Sequence, residues 1–159
     1  MIFQEQEILE DGWFDDRQKM DWDKARRFHG IHRAFRDLIK LRRNLAGSTR
    51  GLTGQNVEII HSNQEAKVIA WHRWFKGGAG DSTVVILNLT AKAHDFYELD
   101  LPAGGDWKIR FNADWEGYSD DFDNTCLTGV EGREGVLGHP ATLGGLALPS
   151  YAFLILSQD

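Results

Sequence analysis

The hydrophobic period of this sequence changes near residue 47, and that change constrains the fold more than any other feature. Before it, apolar residues recur every three or four positions, which places them on one face of a helix. They are Phe28, Ile31, Phe35, Leu38 and Leu45, with Ala34 and Leu41 widening the stripe. The spacing predicts a helix over 24–45, and Gly47 is its expected terminator.

After residue 50 the apolar residues alternate with polar ones or form short runs, as in strands. We predict strands over 57–61, 67–74, 83–89, 96–101, 107–112, 147–149 and 151–157. The stretch 113–144 is rich in Gly, Asp and Glu, so we expect a long loop there with one weak strand. The expected fold is mainly β: an antiparallel β-sandwich of Greek-key type with about seven or eight strands, preceded by a helix.

Charge and composition exclude several classes of partner. The net charge of −6 argues against nucleic acid, because phosphate binding needs clustered Lys and Arg. No apolar run approaches the ~18–20 residues that a membrane helix requires, so we expect no membrane partner. The N-terminus has no secretory signal pattern, and the single Cys126 suits a reducing compartment. The predicted location is therefore the cytoplasm.

The N-terminal residues have the pattern of a βα unit that lacks its partner strand. Residues 1–3 are apolar and indicate a buried strand, and an acidic, aromatic loop over 10–16 leads to the helix. A parallel strand needs a second strand beside it. We therefore expect missing polypeptide upstream, and we expect residues 1–20 to be poorly ordered or to enter an intermolecular contact such as a dimer.

Several segments resemble the α-amylase superfamily, most closely the α-glucan branching enzymes and their maltooligosyltrehalose-related relatives. The N-terminal motifs MIFQEQEILEDGWFDD, MDW and GIHRAFRDLIKLRR resemble the last strand, loop and helix of the catalytic barrel. The motifs VIAWHRW, TVVILNL, WKIRFNADWEGYS and LALPSYAFLILS resemble the all-β C-terminal domain. One departure is Glu5, where the family usually has Gly.

The resemblance implies two parts, a barrel remnant over 1–48 and an all-β sandwich domain over 49–159. A complete barrel needs ~250 residues, more than the 159 present, and the family's three catalytic carboxylates would lie upstream of Met1. We therefore expect no catalytic residue here and an inactive fragment. The implied parent acts on α-1,4-glucans such as glycogen or starch, and the implied partners are that glucan and the missing barrel.

The loop after the last barrel strand would form part of the parent's active-site rim. Its candidate substrate-binding residues are Glu7, Trp13 and Asp15, and the indole of Trp13 could stack on a glucose ring. The alternative is that these residues form a solvated acidic loop with no ligand.

Aromatic residues of the β region are candidates for surface glucan contacts: Trp74, Trp115 and Tyr118. Trp71 and Trp74 are three apart, so a regular strand would point them to opposite faces. Exposed aromatic side chains would suit a free-standing glucan-binding module, which is the alternative function. The competing interpretation is that these residues are buried, because large apolar side chains usually are.

No sequence pattern indicates a metal or a cofactor. His29 and His32 lack partners at ligand spacing, and the acidic run over 120–124 does not match a calcium loop. The glycines over 77–80 lack the Lys-Ser/Thr of a phosphate-binding loop. We predict that the protein binds no metal ion and no cofactor.

Overall fold

The computed structural model describes residues 5–13, 15, 17, 19–78, 80–125, 130–133, 141–143 and 145–158. The strand expected over 1–3 and the cysteine at 126 lie outside these residues. The described chain begins with a 3₁₀ turn at Gln6–Ile8, and a second 3₁₀ turn at Arg50–Thr53 connects the helical part to the sheet.

The predicted helix is two helices, α1 (Trp22–Arg27) and α2 (His29–Arg42), which meet at Phe28. The Asp21 side chain caps α1 by accepting a hydrogen bond from the backbone N–H of Asp23. Helix α2 ends before Gly47, because Asn44 adopts the left-handed conformation with a φ of 52°. Within the described residues no helix is both long and apolar enough to cross a bilayer.

Ten strands follow in the described part of the chain. They are β1 (Asn56–Asn63), β2 (Val68–Trp74), β3 (Ser82–Asn88), β4 (His94–Tyr97), β5 (Asp100–Leu101), β6 (Gly105–Asn112), β7 (Val130–Arg133), β8 (Ala141–Leu143), β9 (Leu146–Leu148) and β10 (Phe153–Ser157). The large sheet has the order β1-β2-β3-β10-β6-β7-β8-β5, and β4 pairs with β9. The recorded strand pairs are antiparallel. The prediction of a mainly β, antiparallel fold preceded by helix is confirmed.

The structure has more strands than the predicted seven or eight, because each of two segments contributes two strands where the sequence predicted one. The segment 96–101 contributes to two strands, since β4 pairs with β9 whereas β5 lies at the edge of the large sheet. The stretch 113–144 holds two short strands, β7 and β8, instead of one.

The large sheet curls until its two edge strands, β1 and β5, come into contact. Its inner face packs against the β4–β9 pair, which forms a second layer. Buried side chains of this core are Val68, Ala70, Val84, Ile86, Tyr97, Leu101, Trp107, Leu148, Leu154 and Leu156. Each large apolar side chain that is fully buried contributes about 1.5–3 kcal/mol to folding.

The outer face of the sheet carries the alternate residues of the same strands, including Val85, Phe111 and Ile155. Helix α2 covers this face with Ala34, Leu38 and Leu41, which are part of the predicted stripe. The stripe does not continue to its end, because Leu45 is exposed.

Candidate functional sites

Helix α2 is fixed to the sheet through the loop that follows β6. Gly30 lies so close to this loop that a Cβ atom there would be 2.1 Å from the carbonyl oxygen of Tyr118. The Tyr118 hydroxyl donates a hydrogen bond to Asp37 Oδ2 at 3.2 Å. Burial raises the pKa of Tyr118, and the Asp37 carboxylate raises it further. Tyr118 is therefore a neutral structural residue that joins the helix to the sandwich.

Only 7% of Tyr118 is exposed, which leaves little of its ring for a ligand. A role of Tyr118 in surface glucan contact stays a prediction. The Tyr118 ring stacks on Phe111 and meets the Trp115 ring edge-on at 4.8 Å. Trp115 is half-buried, and the Arg33 guanidinium lies 4.3 Å from its ring centroid. A role of Trp115 in binding glucan stays a prediction.

The acidic N-terminal loop is tied to helix α1 by one lysine. The Lys24 Nζ atom lies 2.8 Å from Glu10 Oε1 and 2.6 Å from Asp11 Oδ1. These hydrogen bonds lower the pKa of both carboxyl groups. Ile8 is buried at 3% exposure within the chain itself. A dimer through this segment stays a prediction.

The three predicted rim residues have different surroundings. The Trp13 side chain is almost fully exposed at 97%. Asp15 forms an ion pair with Arg17 at 2.8 Å, so its carboxylate is already occupied. Glu7 is half-buried, and its Oε2 atom has no hydrogen-bond partner in the part of the chain that is described. Their role at a substrate rim stays a prediction.

Asp81, a buried carboxylate with 5% exposure, fixes the loop between β2 and β3. Its Oδ2 atom accepts hydrogen bonds from the backbone N–H groups of Phe75, Lys76 and Gly77 at 3.1, 2.6 and 2.5 Å. Burial raises the pKa of Asp81, but these donors and the Arg50 charge outweigh it and lower the pKa. Asp81 thus stays ionised and closes the β2–β3 connection. Across the described ranges, no three His, Cys, Asp or Glu residues group as a metal site.

A second candidate site is a cleft of about 480 Å³, lined by acidic and aromatic residues, where the two edges of the large sheet approach each other. We name it the seam cleft; its lining includes Glu58, Ile60, His72, Trp74, Asp100 and Pro102. Trp74 is half-buried here, and it faces the opposite side of β2 from Trp71, which packs on the outer face, as predicted.

Two contacts hold the aromatic pair of the seam cleft. The His72 and Trp74 rings stack with their centroids 4.7 Å apart and an interplanar angle of 26°. His72 Nε2 lies 2.9 Å from Ser82 Oγ on the adjacent strand. Burial lowers the pKa of His72, although the Glu58 and Asp81 carboxylates act in the opposite direction. The two-residue spacing of this pair is visible in the sequence, whereas the approach of Asp100 depends on closure of the sheet.

Sequence comparisons identify the family. Residues 59–159 match the family described as "Alpha amylase, C-terminal all-beta domain". The 1,4-alpha-glucan branching enzyme GlgB of Novosphingobium aromaticivorans is 31% identical over 122 residues, which cover 74% of this chain and 17% of that protein. GlgB of Rhodopirellula baltica is 32% identical over 119 residues, 70% of this chain and 16% of that protein. The chain thus spans about one sixth of the length of these curated relatives.

Solved structures share the fold. The pullulanase of Anoxybacillus sp. LM18-11, in its complex with maltotetraose, has a TM-score of 0.51 at 17% identity and covers 87% of this chain and 17% of that one. Its complex with maltotriose has the same TM-score at 19% identity. At such low identity the likeness concerns the fold alone. Together with the family match over most of the sequence, it leads to one assignment: the chain belongs to the family of α-amylase C-terminal all-β domains.

Proposed function

We propose that this chain is a non-catalytic C-terminal part of an α-1,4-glucan-acting enzyme resembling a branching enzyme. In this proposal the parent works in glycogen or starch metabolism in the cytoplasm, and the all-β domain stabilises its catalytic barrel. Family membership and the similarity to about one sixth of two GlgB proteins support this assignment.

One observation carries the structural role: the sheet face that α2 covers continues into an uncovered apolar edge. Ile59 of β1 pairs with Trp71 of β2, which pairs with Val85 in the outer core, so these three side chains share one face. Ile59 is 63% exposed and Val57, two residues earlier on the same face, is 58% exposed. An uncovered apolar edge strand favours association with another surface. We propose that the catalytic barrel covers this edge beside α2.

The surroundings of the carboxylates support a non-catalytic role. A retaining glycosidase needs two carboxyl groups about 5–5.5 Å apart, one as nucleophile and one as acid/base. Asp81 is held by three backbone donors, Glu10 by Lys24 and Asp15 by Arg17. In the proposed parent the double displacement takes place on the barrel, and the glycosyl unit then passes to a sugar hydroxyl group or to water.

The first experiment tests the absence of catalysis. The purified 159-residue chain is incubated with amylose, while iodine absorbance reports branching and a reducing-end assay reports hydrolysis. N. aromaticivorans GlgB serves as the positive control. We expect no change in either signal. Turnover that persists after repeated purification would overturn the proposal.

The second experiment tests stabilisation. In N. aromaticivorans GlgB, the segment that matches this chain is either deleted or replaced by this chain, and residual branching activity is measured after heating. We expect the chimera to survive higher temperatures than the deletion. Ile59→Lys should remove much of that gain, whereas Glu65→Lys, in the exposed turn that follows the same strand, should not. A chimera no more stable than the deletion would contradict the proposal.

The seam cleft favours a second candidate, a free-standing glucan-binding module without a barrel partner. The supporting observation is the half-buried Trp74 that lines an open cleft. A free module would bind maltoheptaose, detected by Trp fluorescence, and would give no stabilisation in the chimera. The two experiments together separate the candidates.

A further inference from the structure

We propose that the seam cleft binds a glucose unit of an α-glucan, with Trp74 as the stacking platform and Glu58 and Asp100 as hydrogen-bond acceptors. This inference rests on the proposed glucan-acting function and adds a binding site that is separate from any catalytic centre. It also distinguishes Trp74 from Tyr118, which is buried under α2.

Strand pairing brings the proposed ligand groups to one face. In the β1–β2 ladder Glu58 lies opposite His72, and Asn56 lies opposite Trp74, so these side chains share the inner face of the sheet. Asp100 belongs to β5 at the other end of the same sheet, and β5 contacts β1 where the sheet curls. The cleft therefore forms at the mouth of a curled sheet, which is a common place for ligand sites.

The platform is ordered before a ligand arrives. Trp74 stacks on His72, and His72 is held through Ser82 on the neighbouring strand. The segment that follows Trp74 is also held, because the Asp81 carboxylate accepts hydrogen bonds from the backbone N–H groups of Phe75, Lys76 and Gly77. Restricting a side chain in advance lowers the entropy cost of binding. The C–H face of a pyranose could then lie on the exposed part of the indole without reordering the loop.

The charges in the cleft select a neutral polyol. Carboxylates accept short, charge-assisted hydrogen bonds from hydroxyl groups, and Glu58 and Asp100 supply two of them. Among the described residues that line the cleft there is no Lys or Arg to bind a phosphate. Burial lowers the pKa of His72, so the imidazole adds no positive charge at neutral pH. The volume of about 480 Å³ lies within the range of about 300–1,000 Å³ that is typical of small-molecule sites.

The proposal is tested by calorimetric titration of the full chain with maltoheptaose, cellohexaose, glucose 1-phosphate and putrescine. We expect saturable binding of maltoheptaose and weaker binding of the β-linked cellohexaose. Glucose 1-phosphate should not bind, because its phosphate faces two carboxylates. Binding of putrescine in place of maltoheptaose would show that the cleft attracts cations, and it would overturn the proposal.

Variants locate the binding site. Trp74→Ala should weaken maltoheptaose binding roughly tenfold or more. Glu58→Gln should weaken it roughly threefold to tenfold, because a neutral amide is the poorer acceptor. Trp22→Ala is the matched control, since Trp22 is 64% exposed on α1 and does not line the cleft. Equal binding by Trp74→Ala and the unmodified chain would refute the assignment.

Folding is checked by circular dichroism and thermal unfolding of every variant. If Trp74→Ala does not fold, Trp74→Phe and Glu58→Gln decide the question, because the first keeps a smaller ring and the second changes an exposed side chain. Failure of the unmodified chain to bind maltoheptaose would overturn the cleft assignment alone. The role in stabilising a barrel would still be decided by the chimera.

Discussion

The two faces of the large sheet both carry aromatic residues, but different structures lie against them. On the outer face, helix α2 covers Tyr118, which hydrogen-bonds to Asp37 and is 7% exposed. On the inner face, His72 and Trp74 at the end of β2 line an open cleft. Aromatic side chains are thus covered by a helix on one face and line a cleft on the other.

The contrast shows that burial of an aromatic residue depends on the partner element and not on the residue alone. Tyr118 has a helix whose glycine permits close approach, whereas Trp74 stacks on a neighbour from its own strand. Variants on the outer face should therefore change stability, and variants on the inner face should change ligand affinity.

The largest expected effect is at the helix–sheet contact. Gly30→Ala places a methyl group against the Tyr118 backbone, which cannot rotate away, so α2 must shift from the sheet. We expect a loss of about 3 kcal/mol in the free energy of unfolding, measured by urea denaturation. Gly12→Ala is the control, because its Cβ would meet only the flexible end of the Glu10 side chain. If Gly30→Ala lowers the free energy of unfolding no more than Gly12→Ala does, α2 does not pack closely against the Tyr118 backbone.

The next effect concerns the loop beside the cleft. Asp81→Asn should lower the free energy of unfolding by about 2 kcal/mol at neutral pH, because a neutral amide replaces the carboxylate that accepts three N–H hydrogen bonds. The pKa of Asp81 is lower in the folded state than in the unfolded chain. Its stabilising contribution is therefore complete above the unfolded pKa of about 3.9 and is lost as the pH falls through the folded pKa.

Thermal unfolding of both proteins from pH 7 to pH 3 checks this dependence. We expect the gap in Tm between wild type and Asp81→Asn to narrow as the solution becomes acidic. A gap that stays constant over that range would contradict the assignment of the charge on Asp81.

Two conservative substitutions, one on each face of the sheet, compare effects on stability with effects on glucan affinity. Tyr118→Phe removes the hydrogen bond to Asp37 and should cost about 1 kcal/mol of unfolding free energy, with no change in maltoheptaose affinity. Trp74→Phe should show the reverse, a weaker affinity with less effect on stability. Urea denaturation and calorimetric titration of both variants provide the four values. The separation of the faces would be wrong if Tyr118→Phe weakened glucan binding as much as Trp74→Phe did.

Local periodicity was enough to predict the elements whose partners are adjacent in the chain. The segments 57–61 and 67–74 are separated only by a short polar stretch, so their pairing as the β1–β2 hairpin follows from the sequence. Alternation does not reveal that β4 and β5 belong to different sheets, because that depends on pairing with β9 and β8. The short strands β7 and β8 likewise contain too few residues for a period to be recognised.

The same limit applies to the candidate sites. His72 and Trp74 are two residues apart on one strand, so their shared face could be predicted. The position of Asp100 could not be, because it follows from the curl that brings β5 to β1. The burial of Tyr118 could not be predicted for a similar reason, since a helix from a distant part of the chain covers it. Exposure is a tertiary property, and residue type alone does not determine it.

The smallest effect tests whether the outer face extends to Trp115. Arg33→Gln removes the guanidinium that lies 4.3 Å from the Trp115 ring centroid, and it should cost about 0.5 kcal/mol in unfolding free energy. Arg36→Gln is the matched control, because Arg36 is an exposed residue of the same helix. If Arg33→Gln has no larger effect than the control, but exposes Trp115 to added maltoheptaose, the indole is a ligand platform that Arg33 covers. If it lowers stability without any glucan response, Trp115 belongs with Tyr118 to the packing face.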